Sequence, residues 1–300
     1  MSTPRRSPLA AALLLAAAPL AAQQDLDEVE ITVTPMATGV FMLTGAGGNI
    51  GVSVGADGVF VIDDQFAPLS ERIMDAIEGL SDRPVSYVLN THWHGDHTGG
   101  NENFGEAGAA IVAHENVRTR MSTEQVSTVF GRTTPPSPDA ALPVVTFTEN
   151  VTFHFNGEAI RVHHVPNAHT DGDSIVYFDD VDVLHTGDTF FNGAFPFIDV
   201  DSGGSLDGMI DAAETSLGMI TRQTEIIPGH GPRATQIDLE RYRDMLLEVR
   251  EIVAERVAAG ESREDVVAAN PLGALGVNWG GGFMKTDVFT GLVYDSLSGG

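Results

Sequence analysis

The chain has 300 residues and a formal net charge of −26, from 42 Asp and Glu against 16 Lys and Arg. So negative a protein repels phosphate backbones, which argues against a nucleic-acid partner and is typical of a highly soluble protein. Hydrophobic residues make up 42% of the chain, enough for a sizeable core, and cysteine is absent. The lack of cysteine excludes a disulfide framework and any thiolate metal ligand.

The N-terminal segment is typical of a secretory signal peptide. Arg5 and Arg6 precede an apolar run over residues 9–20, and Ala21 and Ala22 follow it. A basic region, a short apolar run and small residues at a cleavage site are the parts of such a signal. The run is shorter than the roughly 18–20 apolar residues of a membrane span, although an N-terminal anchor is the alternative. We predict a signal peptide over 1–22, a periplasmic or secreted protein without an integral membrane segment after cleavage, and one domain over 23–300.

Short β-branched runs separated by turn residues open the mature chain. Strands are predicted at 31–33, 40–43, 49–54 and 59–62, and the glycines between them indicate an antiparallel meander. An amphipathic helix is predicted at 67–80, with Leu69, Ile73 and Ile77 on one face. A single buried strand, 86–89, then leads directly into a histidine-rich segment.

The second half of the chain repeats this theme. Strands are predicted at 151–155, 159–165, 174–178, 182–185 and 226–227, and helices at 206–219, 235–258 and 263–269. The proline-rich stretch 133–143 is predicted to be a surface loop. Strand runs and helices that alternate in two similar halves favour two sheets packed together with helices outside.

The histidine-rich segment carries four metal-competent side chains in six residues. His92 and His94 lie two apart at the end of a strand, so their side chains point the same way. Gly95 permits a sharp turn that can bring Asp96 and His97 beside them. Four such ligands exceed what one tetrahedral ion takes from one segment, and burying them without ions would cost several kcal/mol. The segment therefore predicts two neighbouring ions, with further ligands from elsewhere in the chain.

This segment matches the H-x-H-x-D-H signature of the metallo-β-lactamase superfamily, which the chain resembles over most of its mature length. Three further segments match the family in the expected order: Asn167 to Asp173 with His169, Thr186-Gly187-Asp188, and Pro228-Gly229-His230-Gly231. The resemblance implies an α/β fold of four layers, an αββα sandwich in which two mixed sheets pack face to face with helices outside.

The resemblance also implies a ligand set. His92, His94 and His169 would hold one ion, Asp96, His97 and His230 would hold the other, and Asp188 would bridge them. Two Zn²⁺ ions are expected, and the same spacing accepts iron or manganese. A hydroxide shared by the ions would attack a carbonyl group. Asp96 and Asp188 are the expected catalytic residues, with Asp96 orienting the hydroxide or passing its proton to the leaving group.

Several functions share such a site. The resemblance implies an exported zinc hydrolase of a small-molecule substrate, with β-lactam hydrolysis as the leading candidate. A lactone or other ester, or a glyoxalase II-like thioester, is the alternative, because Asp188 is typical of those members while the all-histidine β-lactamases usually lack an aspartate there. A non-catalytic metal-binding member would usually lack a ligand, and a di-iron redox member would carry more acidic ligands and a flavin domain. The sequence carries no signal of oligomeric state.

Other polar residues have structural interpretations beside functional ones. His185 is predicted to have a structural or supporting role rather than to bind an ion, and His114 to cap or pack at the start of a helix. Asp173, Ser174 and Thr98 can either hydrogen-bond ligands or cap turns. One of His163 and His164 faces inward on its strand. The run 202–205 is predicted to be the turn and N-cap of the next helix.

Aromatic residues near the predicted ligands have two interpretations as well. Trp93 is either a core residue or part of a pocket wall. Four phenylalanines follow Asp188 in a stretch too irregular for a strand, and they can form a loop that faces the substrate or pack into the core. They are Phe190, Phe191, Phe195 and Phe197.

Overall fold

The computed structural model describes residues 26–299. The predicted signal peptide at 1–22 lies outside these residues and stays a prediction. Within residues 26–299, no helix has both the length and the apolar character that a membrane crossing requires.

Seven strands form the first sheet. They are β1 (Thr32–Ala37), β2 (Val40–Thr44), β3 (Ile50–Gly55), β4 (Gly58–Ile62), β5 (Val85–Asn90), β6 (Ala110–His114) and β9 (Val145–Phe147), in the spatial order β1-β2-β3-β4-β5-β6-β9. The first four pair antiparallel, which confirms the predicted meander. From β4 onward the pairs are parallel, because crossover connections that contain helices bring the chain back to the end of the sheet where the previous strand began.

Helices of the first half lie between these strands. They are α1 (Ser70–Glu78), α2 (Gly95–Thr98), α3 (Asn101–Glu106) and α4 (Glu115–Met121). The predicted helix 67–80 begins as a 3₁₀ turn, Ala67–Leu69, before α1. Ile73 and Ile77 of α1 and Phe104 of α3 pack on the outer face of the first sheet. These helices form the first outer layer.

The second sheet has five strands. They are β10 (Asn150–Phe155), β11 (Glu158–His164), β12 (Ser174–Phe178), β13 (Val183–His185) and β14 (Glu225–Ile227), in that spatial order. All pairs are antiparallel except β13 with β14. The helices of this half are α5 (Leu206–Met219), α6 (Gln236–Ala258), α7 (Arg263–Ala269), α8 (Gly273–Trp279) and α9 (Thr286–Ser298). Residues of α5, α6 and α9 share one buried cluster with the outer face of the sheet.

The two sheets pack face to face through a common apolar core. Phe60, Ile62 and Leu89 of the first sheet are fully buried in one cluster with Val162 and Phe178 of the second. Burial of aliphatic and aromatic side chains of this kind is the main favourable contribution to folding. The order helix, sheet, sheet, helix confirms the predicted αββα sandwich.

The stretch 133–143 differs in part from the predicted surface loop. It starts in β8 (Arg132–Thr134), which pairs with β7 (Gln125–Ser127) as a separate hairpin. Its middle is irregular and exposed, but Ala141 and Leu142 are buried against α4. Two adjacent apolar residues are enough to anchor this loop under α4. The proline-rich composition of the stretch does not reveal that contact.

Candidate metal centre

The four predicted ligand segments meet at one edge of the sandwich. Segment 91–97 follows β5, and the loops that follow β11, β13 and β14 carry His169, Asp188 and His230. Strands β11, β13 and β14 run in the same direction, so their carboxyl ends lie at the same edge. His94 is the residue before α2, and the single turn of α2 brings Asp96 and His97 back toward it.

The structure brings together all seven residues predicted as ligands. His92, His94, His169 and Asp188 form one group, and Asp96, His97 and His230 form another, with ligand atoms in each group within 4.8 Å of one another. His92, His97 and His169 are fully buried. The side chains of His94, Asp96 and His230 are 12%, 27% and 29% exposed, so the cluster opens to solvent on their side.

The carboxylate of Asp188 lies between the two groups. Its Oδ1 is 3.1 Å from Nε2 of His97, and its Oδ2 is 3.3 Å from Nε2 of His230. The same Oδ2 is 3.6 Å from Nε2 of His169 and 3.9 Å from Nε2 of His92. Oδ1 is buried without a hydrogen-bond partner. A buried carboxylate oxygen in this position is suited to a cation, since leaving it unpaired is costly.

Outer hydrogen bonds fix the ring orientation of two histidines in the first group. Nε2 of His94 lies 2.9 Å from Oδ2 of Asp199, and Nδ1 of His169 lies 2.7 Å from the carbonyl oxygen of Phe197. Both partners are acceptors, so these nitrogens carry the protons. The lone pairs on His94 Nδ1 and His169 Nε2 then face each other at 2.8 Å. Lone pairs this close repel, and a cation between them would remove the repulsion.

Asp63 orients two more histidines in the same way. Its Oδ2 accepts from Nδ1 of His97 at 2.7 Å and from the hydroxyl of Thr91 at 2.7 Å. Because that hydroxyl donates to Asp63, its oxygen accepts from Nδ1 of His92, 3.1 Å away. In both histidines the Nδ1 proton is therefore held outside the cluster, which leaves Nε2 facing inward as the atom that can bind a cation. The residues present fit a pair of cations.

Burial and neighbouring carboxylates divide the histidines into two electrostatic types. Burial lowers the pKa of His92 well below its ordinary value and that of His169 to about 4, so both are neutral and able to bind an ion. Burial also lowers the pKa of His97 and His230, but the nearby carboxylates, Asp188 first among them, together outweigh burial. The pKa of His97 is therefore well above its ordinary value, and that of His230 rises to about 9. Cations that bind to the cluster take over the role of those protons and release them.

Comparison with known proteins agrees with this geometry. Residues 43–260 match the family model described as the Metallo-beta-lactamase superfamily. The chain belongs to the metallo-β-lactamase superfamily. Its two groups of His and Asp side chains are those typical of the superfamily.

Two curated relatives are similar over part of their length. The lactamase-like protein aptB of Emericella nidulans is 24% identical over 218 residues, which cover 71% of this chain and 62% of that protein. The hydroxyacylglutathione hydrolase of Methylococcus capsulatus is 31% identical over 120 residues, 40% of this chain and 39% of that protein. The chain thus matches less than two thirds of the length of either relative.

Solved structures show the same fold at low sequence identity. The metallo-beta-lactamase from Pontibacter korlensis aligns with a TM-score of 0.59 and 20% identity, over 73% of this chain and 99% of that one. The sec-alkylsulfatase Pisa1 from Pseudomonas sp. aligns with a TM-score of 0.64 and 14% identity, over 88% of this chain and 50% of that one. These likenesses concern the superfamily fold.

Asp199 gives a first prediction for this superfamily member. Burial raises the pKa of Asp199, but the hydrogen bond and charge of His94, together with Ser202 and His169, outweigh burial and lower it, so the carboxylate is ionised when it holds the His94 ring. We expect Asp199→Ala to weaken metal affinity about 10- to 100-fold. Asp199→Asn, which keeps one acceptor for His94, should have a smaller effect. Competition titration with a chromophoric chelator measures both, and an alanine variant with wild-type affinity would contradict this role.

Gly229 leaves the space that the Asp188 carboxylate needs. A Cβ at position 229 would overlap Oδ1 of Asp188 and the backbone of Gly187. Asn49 holds the same loop, because its Nδ2 donates to the carbonyl oxygens of Pro228 at 2.8 Å and Gly231 at 2.9 Å. The loop therefore has little freedom to move away.

We expect Gly229→Ala to displace Asp188 and reduce the metal-dependent catalytic rate of this centre by about 100-fold, the order of effect that a 1 Å misplacement has. Gly218→Ala is the matched control, since position 218 in α5 has open space around it. Steady-state kinetics with the best substrate compares the two variants. Equal activity of both would show that Asp188 tolerates the crowding.

The structure assigns structural roles to most of the other polar candidates. His185 donates from Nε2 to the carbonyl of Asn49 and does not join either ligand group. His114 caps α4 by accepting from the backbone N–H of Asn116, as predicted. Asp173 accepts from the backbone and hydroxyl of Thr170. Thr98 donates to the carbonyl of His94, Ser205 caps α5, and His164 forms a hydrogen bond with the carbonyl of Asp173.

The four phenylalanines after Asp188 divide between the two interpretations. Phe190 and Phe195 are buried in the core, against Tyr242 and Phe289 respectively. Phe191 stacks on the ring of His230, with centroids 4.9 Å apart. Phe197 stacks on the ring of His94, with centroids 5.7 Å apart. Two of the four phenylalanines of this loop therefore pack into the core, and the other two pack against histidines of the metal centre.

Three residues that support the ligands were not predicted: Asp63, Asp199 and Asn49. Asp63 directly follows the apolar strand β4, and a carboxylate at the end of a buried strand is a signal that could have identified it. Asp199 lies 105 residues from His94 in the chain. No local pattern connects those two positions, so only the fold reveals their contact.

Proposed function

We propose that the chain is an exported, dinuclear zinc hydrolase that cleaves a carbonyl substrate. The observation that carries the proposal is the position of the Asp188 carboxylate between the two ligand groups, with one oxygen 3.1 Å from His97 and the other 3.6 Å from His169. His92, His94 and His169 would hold one ion, and Asp96, His97 and His230 the other. Asp188 would be shared. The export part rests on the predicted signal peptide.

Two such ions, when bound, supply a nucleophilic water of lowered pKa and polarise the substrate carbonyl. The rest of the chemistry belongs to the side chains. Asp96 is partly exposed on the open side of the cluster, with Oδ2 3.4 Å from Nε2 of His230. Burial raises its pKa, but His97 and His230 outweigh burial and hold it well below its ordinary value. Asp96 is thus an ionised carboxylate that accepts a hydrogen bond and orients the attacking water. With so low a pKa it is too weak a base to remove a proton fully from that water.

Zinc is the proposed metal because five of the seven ligand residues are histidines and none is a cysteine. Neutral imidazole nitrogens suit zinc, and mixed histidine and carboxylate sites also accept iron and manganese. The fixed tautomers of His92, His94, His97 and His169 favour each of these metals alike. Metal identity therefore has to be measured on protein purified without added metal.

β-Lactam hydrolysis is the leading candidate activity. An exported enzyme meets lactams and lactones directly, and the site carries the complete ligand set of a hydrolase. A thioester activity has support from the similarity to hydroxyacylglutathione hydrolases. Against it, the C-terminal part of the chain is poor in basic residues for a glutathione carboxylate: Lys285 is the only lysine in the sequence, and it donates to the carbonyl of Gly282. A lactone or other ester is the second candidate.

The test is a side-by-side assay of a chromogenic cephalosporin, a homoserine lactone and a glutathione thioester. We expect measurable, chelator-sensitive hydrolysis of the cephalosporin at the highest rate. A higher kcat/KM for the lactone or the thioester would make that compound the leading substrate and would leave the proposed hydrolase function in place. Absence of activity on all three after reloading with zinc would overturn the proposed carbonyl hydrolysis.

A further inference from the structure

A line of aromatic rings leads from the metal centre to the protein surface. The ring of Phe197 stacks on that of His94 at 5.7 Å and an angle of 26°. The ring of Phe130 lies 5.1 Å from that of Phe197, and the ring of Phe283 lies 5.6 Å from that of Phe130. Phe197 and Phe130 are half-buried, whereas Phe283 is 73% exposed. The three phenylalanines, called the aromatic wall below, form one continuous apolar path.

The aromatic wall is assembled from three distant parts of the chain. Phe197 belongs to the loop after Asp188, Phe130 to the turn of the β7–β8 hairpin, and Phe283 to the connection between α8 and α9. The hairpin is held in place by Asp201, whose carboxylate accepts from the backbone N–H of Thr128 at 2.7 Å and from its hydroxyl at 2.9 Å. Asp201 is two residues from Asp199, so the same turn fixes both the hairpin and His94.

The connection before α9 is fixed to the same loop. The backbone N–H of Phe195 donates to the carbonyl of Trp279 at 2.8 Å, and Gly282 packs so closely on Ala194 that a Cβ would overlap it. The wall is therefore preformed, and a ligand need not pay to order it. Arg132 lies over the ring of Phe130 at 5.3 Å, so Phe283 offers the largest open aromatic surface.

We infer that the aromatic wall binds an extended apolar acyl chain of the substrate while the scissile carbonyl lies at the metal centre. The inference rests on the proposed function and adds the substrate class: a medium or long alkyl or arylalkyl acyl group on a lactone, ester or lactam. Continuity with His94 identifies the occupant, because the wall begins at a cluster histidine. Three rings in succession suit a long chain better than a compact group, since a compact group would reach the first ring alone.

Substrates that differ in acyl chain length test the wall. Acyl homoserine lactones and 4-nitrophenyl esters with acyl chains of two, four, eight and twelve carbons would be compared on the wild-type protein. Burial of one methylene is equivalent to about a threefold to fourfold gain, so kcat/KM should rise with chain length. Phe130→Ala should remove the gain in kcat/KM for the eight- and twelve-carbon chains. Phe283→Ala should remove it for the twelve-carbon chain.

Both variants should hydrolyse the two-carbon substrate within about twofold of the wild-type rate and lose about tenfold on the twelve-carbon one. Val277→Ala is the matched control, because Val277 is 84% exposed on α8 and lies outside the wall. Val277→Ala should follow the wild-type series throughout. An equal loss on short and long substrates, or no loss on long ones, overturns the inference.

A binding measurement separates the wall from the hydrolase activity. N-octanoylglycine and N-acetylglycine, in which a secondary amide of low reactivity replaces the ester or lactone, would be titrated calorimetrically. We expect the octanoyl compound to bind more tightly and its Kd to rise at least about fivefold in Phe283→Ala but not in Val277→Ala. That result would support the wall even if no carbonyl substrate were hydrolysed. Equal binding of both compounds, as for a surface that contacts only another protein, would overturn it.

Discussion

Asp188→Asn is expected to lose at least about 1,000-fold in kcat/KM. The carboxylate lies close to histidines of both ligand groups, so its replacement by an amide would remove negative charge from each and would leave the two proposed cations without a shared anion. Loss of several kcal/mol of transition-state stabilisation corresponds to a rate loss of this order. Steady-state kinetics at saturating zinc, together with metal content after dialysis, measures the effect.

Two controls make the Asp188 result specific. Asp207→Asn changes the same residue type on α5, where the side chain is 63% exposed and contacts Arg250. It should keep full activity and metal content. Circular dichroism of Asp188→Asn should match that of the wild type, since the substitution is nearly isosteric. Activity of Asp188→Asn within tenfold of the wild type would rule out a shared carboxylate as the centre of the mechanism.

Asp63→Asn is expected to abolish most activity without unfolding the protein. The carboxylate accepts from Nδ1 of His97, from the hydroxyl of Thr91 and from the backbone N–H of Thr91. An amide nitrogen facing His97 would donate instead, and the ring would then carry its proton on Nε2, where it cannot bind a cation. A wrong tautomer of this kind lowers activity on the order of 10²- to 10⁴-fold.

Asp173→Asn is the matched control for that prediction. Asp173 accepts from the backbone N–H and hydroxyl of Thr170 as Asp63 does from Thr91, but its carboxyl group makes no hydrogen bond to the ring of a ligand histidine. Burial raises the pKa of Asp173 to about 8, so it is mostly protonated at neutral pH and an amide resembles it. Metal titration and kinetics should show a loss for Asp63→Asn and near wild-type values for Asp173→Asn. Equal losses would indicate a general packing defect.

Strand and helix patterns were sufficient to predict much of the fold. The helix over 206–219 and the strand over 174–178 begin and end where the sequence predicted. Both have strong local signals, a capping serine in the first case and a β-branched apolar run in the second. The edge strand β9 and the β7–β8 hairpin were not predicted. Each of these strands has three residues, so hydrophobic periodicity has too little length to register.

The candidate site was predictable where its residues share a short segment or a family motif. All seven residues predicted as ligands lie in the two groups of the structure. The groups that orient them were not predictable, because Asp199 and the Phe197 carbonyl reach the site through loops whose path depends on the whole fold. The pair of Phe130 and Phe283 shows the same limit: their contact joins two segments about 150 residues apart, and neither segment has a motif.

The direct test of the two-ion centre is the metal content of protein purified without added metal and exhaustively dialysed. Elemental analysis should give about two ions per chain, with zinc the main metal, and removal by a chelator should abolish hydrolysis until zinc is restored. The Asp188→Asn protein should retain one ion or none. One ion per wild-type chain, together with hydrolysis that survives the loss of Asp188, would contradict a centre in which this carboxylate joins two metals.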